Sequence, residues 1–311
     1  MNTRKLIFDT DPGVDDAMAL MLLARSAEVE LLGVSTVFGN GSLDTTTRNA
    51  RVLAELLNLR AGVHRGAAAS LDGAPHNPPA QVHGRDALGD AGLADGPARA
   101  ESAQPADEFI VETLRAHPGE VSLLAVGPLT NLARALRRAP DIAGLAREVV
   151  IMGGAFGFRG QGGNVTPFAE ANIHADPRAA DEVFAARWPV TVVGLDVTHR
   201  VVMDSAYLDA LARDAGGLGR VIRDISRLYQ DFYRGTGVPD GFYVHDASAV
   251  ACWLQPALFR TVRAPLAVDL EGEAFGRTRL LDETAPRPAQ AVCEAVDAEK
   301  VLALYAQRLR A

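Results

Sequence analysis

The chain has 311 residues, 48% of them apolar and 23% charged, with a net charge of −8. That acidic balance excludes the basic stripe needed to bind nucleic acid or an anionic membrane, and no run of about 20 apolar residues offers a membrane span. A small neutral or cationic partner fits instead.

Short apolar runs alternate with helix-spaced segments along the chain. "KLIF" (5–8), "ELLGVSTV" (30–37), "EVSLLAV" (120–126), "REVVIM" (147–152) and "PVTVVGL" (189–195) are predicted buried strands. Between them, 15–26, 44–59, 105–117, 129–139 and 176–187 carry apolar residues at helical spacing. Asp44, Thr130 and Asp176-Pro177 supply cap or first-turn chemistry at the starts of three of these helices. The rhythm predicts an α/β fold: a doubly wound, mostly parallel sheet with helices on both faces, in one domain spanning 1–311. Residues 204–233 read as mostly helical, 245–254 as a further helix, and 262–270 as strand-like. Two glycine-rich segments, 66–106 and 153–168, follow strands and are expected to be loops over a ligand site. Cys252 and Cys293 lie in apolar surroundings and are expected to be buried free thiols. With an N-terminus that meets Asp9 before any signal-peptide core can form, this points to the cytoplasm.

The chemistry concentrates in "DTDPGVDDAM" (9–18), which places four aspartates within eight positions at the end of a strand. Crowded carboxylates raise one another's pKa unless a cation or a dense set of donors holds them, so a hard divalent metal is expected here. Asp15 and Asp16 fall in the first turn of the following helix, where free N–H groups favour anions. An EF-hand loop is excluded because Val14 stands at its sixth position and Leu20 at its twelfth. A phosphate-transferring site of the haloacid dehalogenase kind shares "DTD", but only Lys5 and Lys300 are available as lysines. Further strand ends and loops offer Asn40, Val126, Met152, Asn164, Glu170, Asn172, His245 and Asp246. These amides and acceptors suit a neutral polyhydroxylated ligand, such as a sugar without phosphate.

Taken in order, "DTDPGVDDAMAL", "FGN", "HGRDALG", "GPLTNLA", "IMGGAF", "AEANIHADP" and "HDASAVA" resemble the nucleoside hydrolase family of inosine-uridine-preferring N-ribohydrolases, over almost the whole chain. The resemblance implies the Rossmann-like nucleoside hydrolase fold and a Ca²⁺ ion held by Asp11, Asp16, the Val126 carbonyl and Asp246, with Asp9 behind them. It implies hydrolysis of ribonucleosides, purine or pyrimidine, to ribose and free base. In that reaction Asp11 deprotonates a metal-bound water, the transition state is oxocarbenium-like, and His245 stands beside the leaving base. Asp15 and Asn172 would hold the 2′ and 3′ hydroxyls, Asn164 and Glu170 would reach the 5′ end, and Met152 would pack near the sugar. Asn40 would orient Asp11 or the ribose, and His83 would flank the base. Tyr229, Gln230 and Tyr233 are base-contact candidates, and a homodimer or homotetramer is the implied assembly. The chain departs from the family's usual pattern at Ala171, where Phe is usual, and at "RDALGD" after His83. The rival readings are a Mg²⁺-dependent phosphatase and a non-catalytic ribose or nucleoside binder.

Overall fold

The computed structural model describes residues 3–310. Eleven strands occur among them: β1 Arg4–Thr10, β2 Val29–Thr36, β3 Gly62–Arg65, β4 Val121–Ala125, β5 Glu148–Met152, β6 Val190–Val193, β7 Val202–Met203, β8 Phe242–Tyr243, β9 Phe259–Val268, β10 Thr278–Leu280 and β11 Ala289–Val296. The α-helices are α1 Val14–Ala24, α2 Leu43–Leu56, α3 Ala80–His83, α4 Ala106–Ala116, α5 Thr130–Arg138, α6 Ala171–Ala175, α7 Pro177–Ala185, α8 Leu195–Thr198, α9 Ser205–Asp214, α10 Gly216–Gly235, α11 Asp246–Leu254 and α12 Ala298–Arg310.

Nine strands form one sheet in the order β10-β9-β11-β6-β5-β4-β1-β2-β3. The pairings from β11 through β3 are parallel, while β9 runs antiparallel to both its neighbours. The sheet is buried on both faces, so strand residues alternate between two cores. Leu6 and Phe8 join the cluster built on α1, α10, α11 and α12, whereas Ile7 joins the cluster built on α4, α5 and α7. Helix α1 is apolar around most of its circumference and is buried from Val14 to Leu23, which its packing against α11, α10 and α12 explains.

The strand order reverses between β1 and β4: β2 and β3 extend one way, β5 and β6 the other. Ligands of open α/β sheets bind outside the carboxyl ends of the strands at such a switch. Here the aspartate-rich turn after Thr10 and the Val126-Gly127 turn after β4 meet at that point.

Three expectations are refined by the structure. The helical stretch from 204 breaks at Ala215 because Gly216 adopts φ +61°, which gives α9 and α10. The strand expected at 262–270 starts at Phe259 and ends at Val268. The loop at 66–106 contains α3 and a short 3-10 turn at Leu93–Asp95. The two cysteines are buried and free, with sulfurs 3.9 Å apart.

Candidate active site

Asp9, Asp11, Asp15, Asp16 and Asp246 are each at most 7% exposed. Such burial demands compensation, and the surroundings supply only part of it. Asp16 is well served: its carboxylate accepts from the Thr10 hydroxyl, from Asp11 N at 3.2 Å, Gly13 N at 2.9 Å and Asn40 Nδ2 at 2.8 Å. Asp9 Oδ1 accepts from the Ser35 hydroxyl and from Asn131 Nδ2 at 2.8 Å. Asp11 Oδ2 accepts from Asn40 N at 2.7 Å, and Asp15 Oδ2 from the Tyr229 phenol at 3.1 Å. That leaves Asp9 Oδ2, Asp11 Oδ1 and Asp15 Oδ1 buried with no hydrogen-bond partner.

The electrostatic consequence is strong. Burial pushes the Asp9 carboxyl up to about 7 despite the Ser35 and Asn131 hydrogen bonds, and pushes Asp15 up to about 6. Burial first, then Asp16, holds Asp11 well above the ordinary carboxylate range; burial and Asp15 do the same to Asp246. One carboxylate oxygen from each of Asp15, Asp16 and Asp246 lies within 4.8 Å of the others. Hard oxygen donors with unpartnered lone pairs fit a divalent cation of the Ca²⁺ or Mg²⁺ type. Asp11 stands outside that three-residue set, turned toward Asn40 N. Glycines at positions 39 and 127 make room for it: a Cβ at Gly127 would collide with Asp11 Oδ1, and one at Gly39 with Asp11 Oδ2.

A second group of polar residues comes from the loops after β4 and β5. Asn172 Nδ2 donates to the Val126 carbonyl at 2.8 Å and to the Met152 carbonyl at 3.2 Å, tying α6 to two strand ends. Glu170 caps α6: Oε1 accepts from Asn172 N at 2.9 Å, and Oε2 from Ile173 N at 3.1 Å and Gly154 N at 2.9 Å. Asn164 Oδ1 accepts from Ala171 N at 3.0 Å. Asp196 anchors the preceding glycine-rich loop through Phe156 N and Phe158 N, at 2.8 and 2.7 Å.

The third group is aromatic. His245 Nε2 lies 2.7 Å from the Tyr233 hydroxyl and Nδ1 lies 2.9 Å from the Thr198 hydroxyl. The Tyr229 and Tyr233 rings meet edge to face at 5.0 Å, and His199 stacks on Tyr243 at 4.1 Å. Burial lowers His245 well below its ordinary value and holds His199 and His83 near 4, so all three are neutral at physiological pH. His83 Nδ1 accepts from Val14 N at 3.2 Å, which puts its proton on Nε2. Burial raises both tyrosines, so both remain protonated phenols.

These groups converge on a cavity of about 1110 Å³. Asp15, Asn40, His83, Val126, Met152, Asn164, Glu170, Asn172, Tyr229, Tyr233, His245 and Asp246 line it, and no lysine or arginine does. Asp11 and Asp16 stand behind the wall on Asn40. Gln230 does not join the site: its amide points at Ser226. Sequence reasoning missed Ser35, Asn131, Thr198, His199 and Tyr243. Asn131 lay inside the quoted "GPLTNLA", but only the fold brings it against Asp9.

The sequence matches the family described as inosine-uridine preferring nucleoside hydrolase over residues 6–303. It is 39% identical over 284 residues to uridine nucleosidase 1 of Arabidopsis thaliana, covering 91% of this chain and 83% of the relative. It is 36% identical over 286 residues to the pyrimidine-specific ribonucleoside hydrolase RihB of Escherichia coli O157:H7, covering 89% and 87%. Among solved structures, a plant nucleoside hydrolase superposes with a TM-score of 0.93 at 32% identity, covering 99% of both chains. A purine-preferring ribonucleoside hydrolase from Gardnerella vaginalis gives 0.92 at 31% identity, covering 99% of this chain and 98% of that one. The chain therefore belongs to the inosine-uridine preferring nucleoside hydrolase family and is an enzyme of the N-glycosidase class.

Proposed function

We propose that the protein is a calcium-dependent ribonucleoside hydrolase that cleaves the C1′–N bond of ribonucleosides, uridine among them, to ribose and free base. The observation that carries this reading is the crowd of buried, partly unpartnered carboxylates, of which Asp15 and Asp246 line a cavity that also holds the aromatic group and His245. A lining without lysine or arginine argues against a phosphatase. The names borne by the relatives support the substrate class.

Asp16 and Asp246 would hold the cation, with Asp11 and the Val126 carbonyl completing its oxygen set. When bound, a dication supplies positive charge that keeps these carboxylates ionised and orients the ribose hydroxyls. Asp11 then takes a proton from water while the water oxygen bonds to C1′. As that bond forms, the C1′–N bond breaks with its electron pair passing to the base, through an oxocarbenium-like transition state that the anionic floor stabilises more than the neutral substrate. Asp15 and Asn172 hold the 2′ and 3′ hydroxyls, while Asn164 and Glu170 face the 5′ end. Asn40 orients Asp11 through its backbone N–H. His83 flanks the base, and the departing base takes its proton from the His245–Tyr233 pair.

The whole chain acts as one catalytic domain, since elements from α1, with Asp15, to α11, with Asp246, contribute to the cavity lining. Two free buried cysteines suit the cytoplasm, and no described helix is long and apolar enough to cross a membrane. A homodimer or homotetramer is the proposed assembly. Reaction of uridine in ¹⁸O-labelled water tests the chemistry: the label belongs on ribose C1, with unlabelled uracil released. Intact uridine after prolonged incubation would identify a binder, and phosphate release from uridine monophosphate would identify a phosphatase.

A further inference from the structure

The cavity exceeds the roughly 300–1,000 Å³ that houses a drug-sized ligand, and the part remote from the aromatic wall is chemically distinct. The aromatic wall comes from α8, α10, β8 and the start of α11. The remaining lining comes from the loop after β3, from α6 with its leading loop, and from the β9–β10 hairpin. The apolar and ring-bearing side chains there are Val165, Ala171, His174, Phe275, Pro75 and His76. Beside them stand the polar Ser70, Asp72, Asn77, Gln81 and Asp176. Val165 and Phe275 are 52% and 40% exposed, a cost in water that a ligand would relieve. Phe275 is held edge-on by His174, with ring centroids 5.6 Å apart, and His76 is fixed by the Gly39 carbonyl at 2.7 Å. Several polar groups of this region are already engaged: Glu170 caps α6 with both oxygens, Asn164 Oδ1 is bound to Ala171 N, Asp72 pairs with Arg178, and Asp176 Oδ2 accepts from the Thr130 hydroxyl.

In the reading above Asn164 and Glu170 face the 5′ end, so a nucleoside with its base on the aromatic wall turns C4′–C5′ toward the lip that Val165 and Ala171, their neighbours in the chain, help to form. We propose that the lip is a subsite for an apolar 5′ substituent, and that the enzyme accepts 5′-deoxy-5′-alkylthio ribonucleosides as substrates. This rests on the hydrolase reading above and extends it to the substrate class. The reaction is unchanged: water adds at C1′, the base departs with the electron pair and a proton, and the thioether is a spectator. Val165 and Phe275 bury the alkyl group, and a thioether sulfur packs well at the edge of an aromatic ring. Ala171 leaves the approach open.

The test compares kcat/KM for uridine, 5′-deoxy-5′-methylthiouridine and its butylthio homologue, in the parent enzyme and in Phe275→Asp and Phe275→Leu. Each methylene buried on the lip is worth about four-fold, so the butylthio compound should exceed the methylthio compound by ten-fold or more. Phe275→Asp should cut that advantage at least ten-fold while uridine stays within three-fold of the parent, and Phe275→Leu should retain most of the advantage. Cleavage of uridine with no cleavage of either thioether would overturn the subsite and leave the hydrolase reading standing. A chain-length effect that survives Phe275→Asp would also overturn it. Failure to cleave uridine itself would strike the hydrolase reading, and binding of butylthiouridine by calorimetry, lost in Phe275→Asp, would then decide the subsite separately.

Discussion

The Tyr233 hydroxyl lies 2.7 Å from His245 Nε2, and the opposite ring nitrogen meets the Thr198 hydroxyl at 2.9 Å. A neutral imidazole has one N–H, so one hydroxyl donates to the ring while the other accepts from it. The arrangement can pass a proton across a buried wall without exposing a charge.

Replacement of that hydroxyl should therefore separate leaving groups. Tyr233→Phe should lower kcat for uridine by about a hundred-fold, the lower end of the range for general acid catalysis. A p-nitrophenyl riboside, whose leaving group departs without a proton, should lose no more than about three-fold. Equal losses on both substrates would remove the pair from proton delivery.

Asp11 has one unpartnered oxygen and a carboxyl raised by burial and by Asp16. Asp11→Asn should lower kcat by about 10³-fold or more, while the melting temperature of the ion-free protein stays level or rises, because a neutral amide replaces a buried carboxyl that is costly to ionise. Turnover near the parent rate would mean that another residue is the base.

Gly127 matters because a Cβ there would strike Asp11 Oδ1. Gly127→Ala should displace the carboxylate and cost about ten- to hundred-fold in kcat/KM, since small misplacements of a reacting group are expensive. Calcium affinity should fall with it, whereas circular dichroism should stay native.

Cation binding should expel protons. Without an ion, Asp15 titrates near 6 and Asp9 near 7, against an ordinary value of 3.8. Groups raised in this way favour the fold fully below pH 3.8, and that contribution is lost as pH rises through about 6 to 7. Burial also holds up the carboxyls of the proposed ligands Asp11, Asp16 and Asp246, and calcium favours the ionised forms of its ligands and of Asp9 and Asp15 beside them, so its affinity should rise at least about ten-fold between pH 6 and pH 8. The melting-temperature gain from calcium should grow over the same interval. Calorimetry in buffers of different ionisation enthalpy would count the protons; pH-independent affinity with no proton release would contradict this electrostatic account.

Much of the fold was legible because its parallel strands are buried on both faces. "EVSLLAV" and "REVVIM" are uninterrupted apolar runs, and they became β4 and β5. β3 escaped because Gly62–Arg65 is too short for a period, and β11 because "AQAVCEAV" is rich in alanine, a poor strand former. Helix α12 carries Val301, Leu304, Tyr305 and Leu309 on its buried side, a pattern left unused behind an unread strand. Gly216 ended one helix and began another in a region whose apolar spacing hardly changes.

The site was legible where function departs from folding logic. Four aspartates at a strand end have no packing rationale, and the structure buries Asp9, Asp11, Asp15 and Asp16 together, with one oxygen each of Asp9, Asp11 and Asp15 left without a partner. Asn40 illustrates the limit: its place near Asp11 follows from the motif, but the division of labour does not. Its backbone serves Asp11 and its side chain serves Asp16. Thr198 and Tyr243 were invisible because they act through long-range contacts with His245 and His199, which no local pattern encodes.

The central claim is tested most directly by measuring free ribose released from uridine by chelator-stripped protein during a calcium titration. The account predicts negligible release without the ion, activity that saturates as calcium fills the site, and loss of that activity in Asp246→Ala. Ribose release at full rate from stripped protein, or no release with calcium bound, would contradict it.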